Sequence, residues 1–287
     1  MKRGGWVAWT LGGLLSLLLL LTAVVTWVWL ASEAHLRSFA PQAAFTTPIP
    51  DDAAAIARGE HLALTRGCGG CHGVDLAGQL MWDFALAPNL ARYAREESAA
   101  TFEAALRQAI GRDRRALYSM PSYNFLHLRD ADVADLFAYL RSVPVVDKPL
   151  PQPRLPWLIR LDIALGLDSA LPAVLDQVPP LRRLDDPDPR ITRGEYLAMT
   201  TCNECHGFSL RADTPWDDSA PDLVIVMAYD EAAFRRLMRE GIALGDRELE
   251  MMSGVARERF AHFTDREVED LYTFLRDLGT RAAAGTD

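Results

Sequence analysis

All four cysteines of the 287-residue chain lie in two Cys-x-x-Cys-His motifs, Cys68-Gly69-Gly70-Cys71-His72 and Cys202-Asn203-Glu204-Cys205-His206. Two thiols three positions apart can form thioethers with the two vinyl groups of a haem. A His directly after the second Cys brings an imidazole nitrogen to the iron, so the pattern reads as c-type haem attachment. Covalent attachment holds such a cofactor in a small domain with little core to bury it. A zinc site split over two Cys pairs would not need His in frame in both copies. A redox dithiol of the thioredoxin type needs a βαβ context, which does not appear. The expected cofactors are two covalently bound haem c groups.

The motifs belong to a longer repeat. Arg58-Gly59-Glu60-His61-Leu62-Ala63 matches Arg193-Gly194-Glu195-Tyr196-Leu197-Ala198, and Ala87-Pro88-Asn89-Leu90 matches Ala220-Pro221-Asp222-Leu223. Phe102, Arg107, Ile110, Arg115 and Leu117 fall on Phe234, Arg239, Ile242, Arg247 and Leu249. Asp130, Val133, Asp135, Leu136, Leu140 and Arg141 fall on Asp265, Val268, Asp270, Leu271, Leu275 and Arg276. The collinear order predicts two homologous domains, 51–143 and 190–279.

Each unit reads as helices. Asp51 or Asp52 caps a first helix ending near Gly67, Ser98 a second and Asp130 a last one striped by Val133, Leu136, Phe137 and Leu140. Thr264 and Glu267 form a capping-box pattern before the same stripe in the second unit. No convincing period-two strand appears. Residues 144–189 hold ten of the 17 prolines, which predicts a semi-rigid linker. A short apolar stretch, 157–165, interrupts it. It reads as a helix packed on a domain surface or as a docking element for the membrane or a partner subunit.

Residues 6–31 carry no charge. As helix they extend about 39 Å, enough to cross a hydrocarbon core of about 30 Å with some tilt. Trp6 and Trp9 mark one end, and Trp27 and Trp29 the other. Lys2 and Arg3 precede the segment, so its amino terminus is expected in the cytoplasm and the remainder outside. The rival is a signal peptide cleaved near Ser32-Glu33-Ala34, but a signal core is far shorter. The expected division is a cytoplasmic terminus and anchor over 1–31, a stalk over 32–50, the two domains with their linker, and a tail over 280–287. Residues 51–287 hold 27 basic and 38 acidic residues, a charge of −11. That balance argues against nucleic acid as a partner.

These motifs resemble the class I cytochrome c family, over both units. The resemblance rests on the two haem motifs, on Pro88-Asn89-Leu90 and Pro221-Asp222-Leu223, and on Leu136/Tyr139 and Leu271/Phe274 of the last helix. It implies an all-α fold of two tandem class I domains after an N-terminal transmembrane helix. It implies that His72 and His206 bind iron and that the carbonyls of Pro88 and Pro221 accept from them. It implies that the last helix crosses the first at Gly59 and Gly194, where Gly permits close approach. It also implies a sixth-ligand Met before the last helix. Met120 is the candidate in the first unit; in the second, Met252 and Met251 compete. The offset of 132 that takes Leu117 to Leu249 takes Met120 to Met252, which is preferred. The three extra residues that follow, before Phe260, are expected in a loop. His127 and His262 are alternative axial ligands or solvent-facing residues. Arg115 and Arg247 either pair with haem propionates or stand in solvent. Asp222 in place of Asn89 departs from the family pattern.

His and Met together fill both axial positions, which leaves outer-sphere electron transfer as the natural chemistry. The expected protein is a membrane-anchored electron carrier, or the cytochrome subunit of a dehydrogenase or respiratory complex, with a dehydrogenase, an oxidase or another electron-transfer complex as its redox partner. The units and linker resemble the cytochrome subunits of bacterial membrane dehydrogenases. Two haems on an amino-terminal anchor also resemble the dihaem subunit of cbb3-type oxidases. The alternatives are a dihaem enzyme of peroxidase or thiosulfate-oxidising type, with one open or displaceable ligand, and a purely assembly role. The expected location is the inner membrane, single-pass, with the haem domains in the periplasm.

Overall fold

The computed structural model describes residues 3–41, 45–213 and 220–286. Lys2, part of the expected orientation signal, lies outside the described residues, as do 42–44 of the expected stalk, 214–219 of the second domain and 287 of the tail. The first helix, α1 (Arg3–Leu36), is long and apolar enough to cross a membrane. It runs past Ala31, so the expected stalk begins as helix. Glu33 explains the extension. It pairs with Arg37 one turn on (3.0 Å), with Arg115 (3.1 Å) and with Arg160 (3.4 Å), while the Leu36 carbonyl accepts from the Ala116 amide at 2.7 Å.

The first unit opens with α2 (Ala53–Thr65), capped by Asp52, whose carboxylate accepts from the Ala55 amide. The one-turn α3 (Cys68–His72) follows directly. A hairpin of β1 (Gln79–Met81) and β2 (Ala85–Ala87) comes next, pairing Gln79 with Ala87. Three residues per strand are too few to show a period of two, so the sequence does not reveal it. Asn89 caps α4 (Leu90–Glu96) and Ser98 caps α5 (Ala99–Gln108). The last helix, α6 (Asp130–Ser142), starts at Asp130 rather than being capped by it. Asp130 is instead occupied by Arg107, at 2.8 Å.

The proline-rich stretch carries α7 (Trp157–Ala164) and α8 (Pro172–Leu175). It is bound at several places. Ile163 is buried with Leu36, Ala116 and Ala170, which seats α7 against the end of α1. Val178 joins the core of the second unit, and the amides of Arg182 and Arg183 donate to the Glu195 carboxylate at 2.8 and 2.7 Å.

The second unit comprises α9 (Pro189–Ala198), α10 (Asn203–His206), α11 (Glu231–Glu240), a hairpin of β3 (Ile242–Ala243) and β4 (Arg247–Glu248), α12 (Glu250–Glu258) and α13 (Asp265–Ala284). It shares with the first unit the first and last helices and the haem-motif turn, but its hairpin follows α11, where the first unit has only the Ile110–Ala116 bridge, and α12 is additional. Thr264 and Glu267 close the expected capping box. α13 passes the expected domain end and takes up most of the expected tail. Arg281 pairs with Asp277 one turn back, and Gly285, in the left-handed conformation at φ 66°, terminates the helix.

First and last helices pack together in both units. A Cβ on Gly59 would overlap the carbonyl of Asp135, and one on Gly194 the carbonyl of Asp270. Beside each glycine an arginine forks onto that same aspartate. Arg58 holds Asp135 and Arg193 holds Asp270, each from Nε at 2.6 Å. Arg107 donates to the Leu128 carbonyl and Arg239 to the Ala261 carbonyl, both at 2.7 Å. The repeated residues thus perform the same tasks twice.

Candidate haem-binding sites

Gly67, at φ 72°, reverses the chain after α2 so that Cys68, Cys71 and His72 fall within one helical turn. Positions three apart share a face. His72 is buried, and its Nδ1 donates to the Pro88 carbonyl at 2.8 Å. That bond places the proton on Nδ1 and leaves Nε2 as the donor for a metal. Asn89 steadies the carbonyl from the next position: its side chain caps α4 and donates to the Val146 carbonyl at 2.9 Å. Burial lowers the imidazole pKa and pushes the Cys68 thiol up to about 11.

The second motif reproduces this geometry. His206 Nδ1 donates to the Pro221 carbonyl at 2.8 Å, burial again lowers its pKa, and burial pushes the Cys202 thiol up to about 11. Asp222 keeps the capping role of Asn89, accepting from the Val224 amide at 2.8 Å. Its other oxygen accepts from Arg211 Nε at 2.7 Å, so the extra negative charge is paired.

The methionines separate by orientation. Met120 packs on the first core. Met252 packs on the second core, whereas its neighbour Met251 is 70% exposed. The segment after Met252 is the helix α12, not the expected loop. His127 Nε2 donates to the Pro179 carbonyl at 2.8 Å, and His262 is exposed. Arg115 is held by Glu33 and Arg247 donates to the Leu244 carbonyl, so both have protein partners.

The structure brings the two motifs together through residues that the repeat does not single out. Arg259, at the end of α12, donates to Glu204 of the second motif at 3.0 Å. The same guanidinium lies over Gly67 and Gly70 of the first: a Cβ on Gly67 would overlap its Nε, and one on Gly70 would sit 3.6 Å from Nη2. Tyr123 is buried in the core of the second unit, its ring against Phe208 and its carbonyl accepting from Asn203. Tyr196 is buried in the core of the first, under the Arg129 guanidinium at 4.2 Å. His61 Nε2 lies 2.9 Å from the Glu267 carboxylate. The sequence signal nearest to it is that Arg259 lies between Met252 and Phe260, a stretch three residues longer than its counterpart in the first unit.

Among the described residues no group of three or more His, Cys, Asp or Glu side chains is placed to hold a metal ion. The two motifs do not pool into a zinc site. Each instead offers two thiols and one imidazole with a free nitrogen, the donor set a haem c requires. Among the described residues the buried Tyr93 hydroxyl and both amide atoms of Asn124 lack a protein partner. Buried polar atoms of that kind call for a further polar group; a haem carboxylate would accept from the Tyr93 hydroxyl or the Asn124 amide nitrogen.

The cytochrome c family model matches residues 56–144. The chain is 26% identical over 282 residues to the fructose dehydrogenase cytochrome subunit of Gluconobacter japonicus, covering 84% of this chain and 56% of that one. It is 28% identical over 183 residues to the alcohol dehydrogenase (quinone) cytochrome c subunit of Gluconobacter oxydans, covering 56% of this chain and 37% of that one. The chain thus spans about half the length, or less, of these curated relatives. The first haem motif, its His–Pro contact and the Gly59 helix crossing all lie within the matched region, so residues 56–144 form a cytochrome c domain.

Proposed function

We propose that the protein is a membrane-anchored dihaem cytochrome that carries single electrons from a dehydrogenase to an acceptor of a respiratory chain. The observation that carries this reading is the Arg259–Glu204 contact. Arg259, held there by Glu204 of the second motif, also lies over Gly67 and Gly70 at the first, and each motif has its own His–Pro bond. Haem c, once attached at each motif, supplies one-electron redox chemistry at a covalently fixed site.

The chain's own residues do the rest. Cys68 and Cys71, with Cys202 and Cys205, hold the two groups in place. His72 and His206 present Nε2 because Pro88 and Pro221 occupy Nδ1. Met120 and Met252, which pack on the two cores, would each offer a thioether to a bound haem iron, and an iron so saturated would favour electron transfer over substrate binding. The dehydrogenase assignment of the partner rests on the two Gluconobacter relatives, which carry that word in their names. α1 spans the inner membrane once and leaves both units in the periplasm.

A haem count tests the proposal. Pyridine haemochrome assay of the purified full chain should return two haems per polypeptide, falling to one in Cys202→Ala/Cys205→Ala. One haem in the unaltered chain overturns the dihaem reading. A high-spin haem that binds cyanide in the oxidised protein overturns the carrier reading.

A further inference from the structure

At the end of α1 the buried positions are Val28, Ser32 and Leu36, spaced four apart on a single face. They cover about 12 Å of helix, as does the eight-residue α7 that lies over them. α7 turns Ile163 into this contact and Ile159 against its edge. Its Arg160 is directed inward too, donating to Ser32 at 2.9 Å and pairing with Glu33. The outward side is mainly apolar, with Asp162 the one acidic residue of the helix. Leu158 is 71% exposed, Leu167 is 74% exposed, and Trp157 and Leu165 are exposed beside them.

A second element reaches the same region. Asp168, next to Leu167, accepts from the Tyr118 hydroxyl, whose ring packs edge-on against Phe84. Phe84 stacks with Trp82 at the tip of the β1–β2 hairpin. Trp82 and Asp83 both adopt positive φ, 49° and 59°, a conformation that L-residues rarely adopt. Trp82 is nevertheless 62% exposed. Two tryptophans and three leucines are therefore exposed as a rim around the C-terminal end of α1, with Trp157 at the end of α7 that points back towards the exposed Trp29 and Leu30.

We propose that this rim is a membrane-docking surface whose occupant is the lipid interface itself, so that the first unit lies on the bilayer instead of swinging on a tether. The inference rests on α1 being a membrane span, because continuity with that span identifies lipid as the occupant. Tryptophan suits the boundary of headgroup and acyl chain, having an apolar body and a polar tip. The only basic residue of α7 is turned away to Ser32 and Glu33. Apolar contact therefore carries the docking, and anionic lipid is not required.

The test uses the full chain in vesicles of zwitterionic phosphatidylcholine, with the photo-crosslinker p-benzoylphenylalanine placed singly at Leu158, Leu167, Leu20 or Leu184. Leu20 lies within α1, and Leu184 is an exposed leucine away from the rim. Mass spectrometry reads covalent lipid adducts. The expected result is lipid adducts at 158 and 167 several-fold above those at 184 and comparable with those at 20. Adducts at 20 alone overturn the docking surface and leave the anchor standing. Absence of adducts at 20 removes the anchor and the inference with it. Repeating the illumination in native membranes addresses the competing occupant: cross-links from 158 and 167 to polypeptide in place of lipid overturn the proposal.

Discussion

The Arg259 guanidinium donates to the Glu204 carboxylate at 3.0 Å while lying across Gly67 and Gly70, so one side chain of the second unit contacts both Cys-x-x-Cys-His loops. Both partners are mostly withdrawn from solvent, which makes the pair more than a surface ion pair. Gly67 is needed at its position twice over: for its φ of 72° and because a Cβ would meet Arg259.

Charge changes at this pair should be read in the redox potentials. Arg259→Gln removes a positive charge from beside both motifs and disfavours the reduced state, lowering both potentials. Glu204→Gln leaves the guanidinium uncompensated and raises them. Shifts on the order of 1 kcal/mol, a few tens of millivolts, follow from an effective dielectric near 20. Spectroelectrochemical titration of the two variants should show opposite signs; shifts of one sign, or none, would sink the placement of Arg259 between the two motifs.

The glycine crossings predict domain-specific instability. Gly59→Ala should destabilise the first unit by roughly 1–3 kcal/mol, as overpacking does, despite the gain in helix propensity. The overlapped atom is a backbone carbonyl with no freedom to move aside. Gly194→Ala should do the same to the second unit. Denaturant melts followed at the haem absorption of the unaltered unit should show it to persist in each variant.

Met252 and Met251 differ in orientation, so their variants should differ in spectrum. Met252→Ala should remove one His/Met iron signature from the near-infrared and electron-paramagnetic spectra, and Met120→Ala the other. Met251→Ala, at an exposed position, should leave both signatures intact. A normal second haem in Met252→Ala would refute the ligand choice.

Acid should loosen the joint at His61. Burial pushes the Glu267 carboxyl up, but hydrogen bonds from His61 and from the Thr264 backbone outweigh it, and the net shift is downward from 4.5. A carboxylate held below its unfolded value stabilises the fold above that unfolded value. The contribution is lost as pH falls through the folded one. Thermal unfolding of the full chain should therefore lose stability on acidification below about pH 4.5, and Glu267→Gln should lose less over the same interval. Equal losses would show that the pair contributes nothing to the transition.

What the sequence by itself determined are the features written locally or written twice. The Cys-x-x-Cys-His spacing declares the cofactor class. Asp52, Ser98 and the Thr264/Glu267 pair mark helix starts within four residues of the groups they satisfy. The repeat offset points to Met252, and Gly59 and Gly194 occupy equivalent places. Only the tertiary structure decided what depends on side chains far apart in the chain. Glu33 joins Arg115 and Arg160, which carries α1 past Ala31 and ties it to the first unit. Tyr123 and Tyr196 each enter the other unit's core, and Arg259 reaches the loop of Gly67 from nearly two hundred positions away. The physical reason is that periodicity and capping report contacts within a turn or two of the backbone. The meeting of two units is settled by shape and charge that no local pattern records.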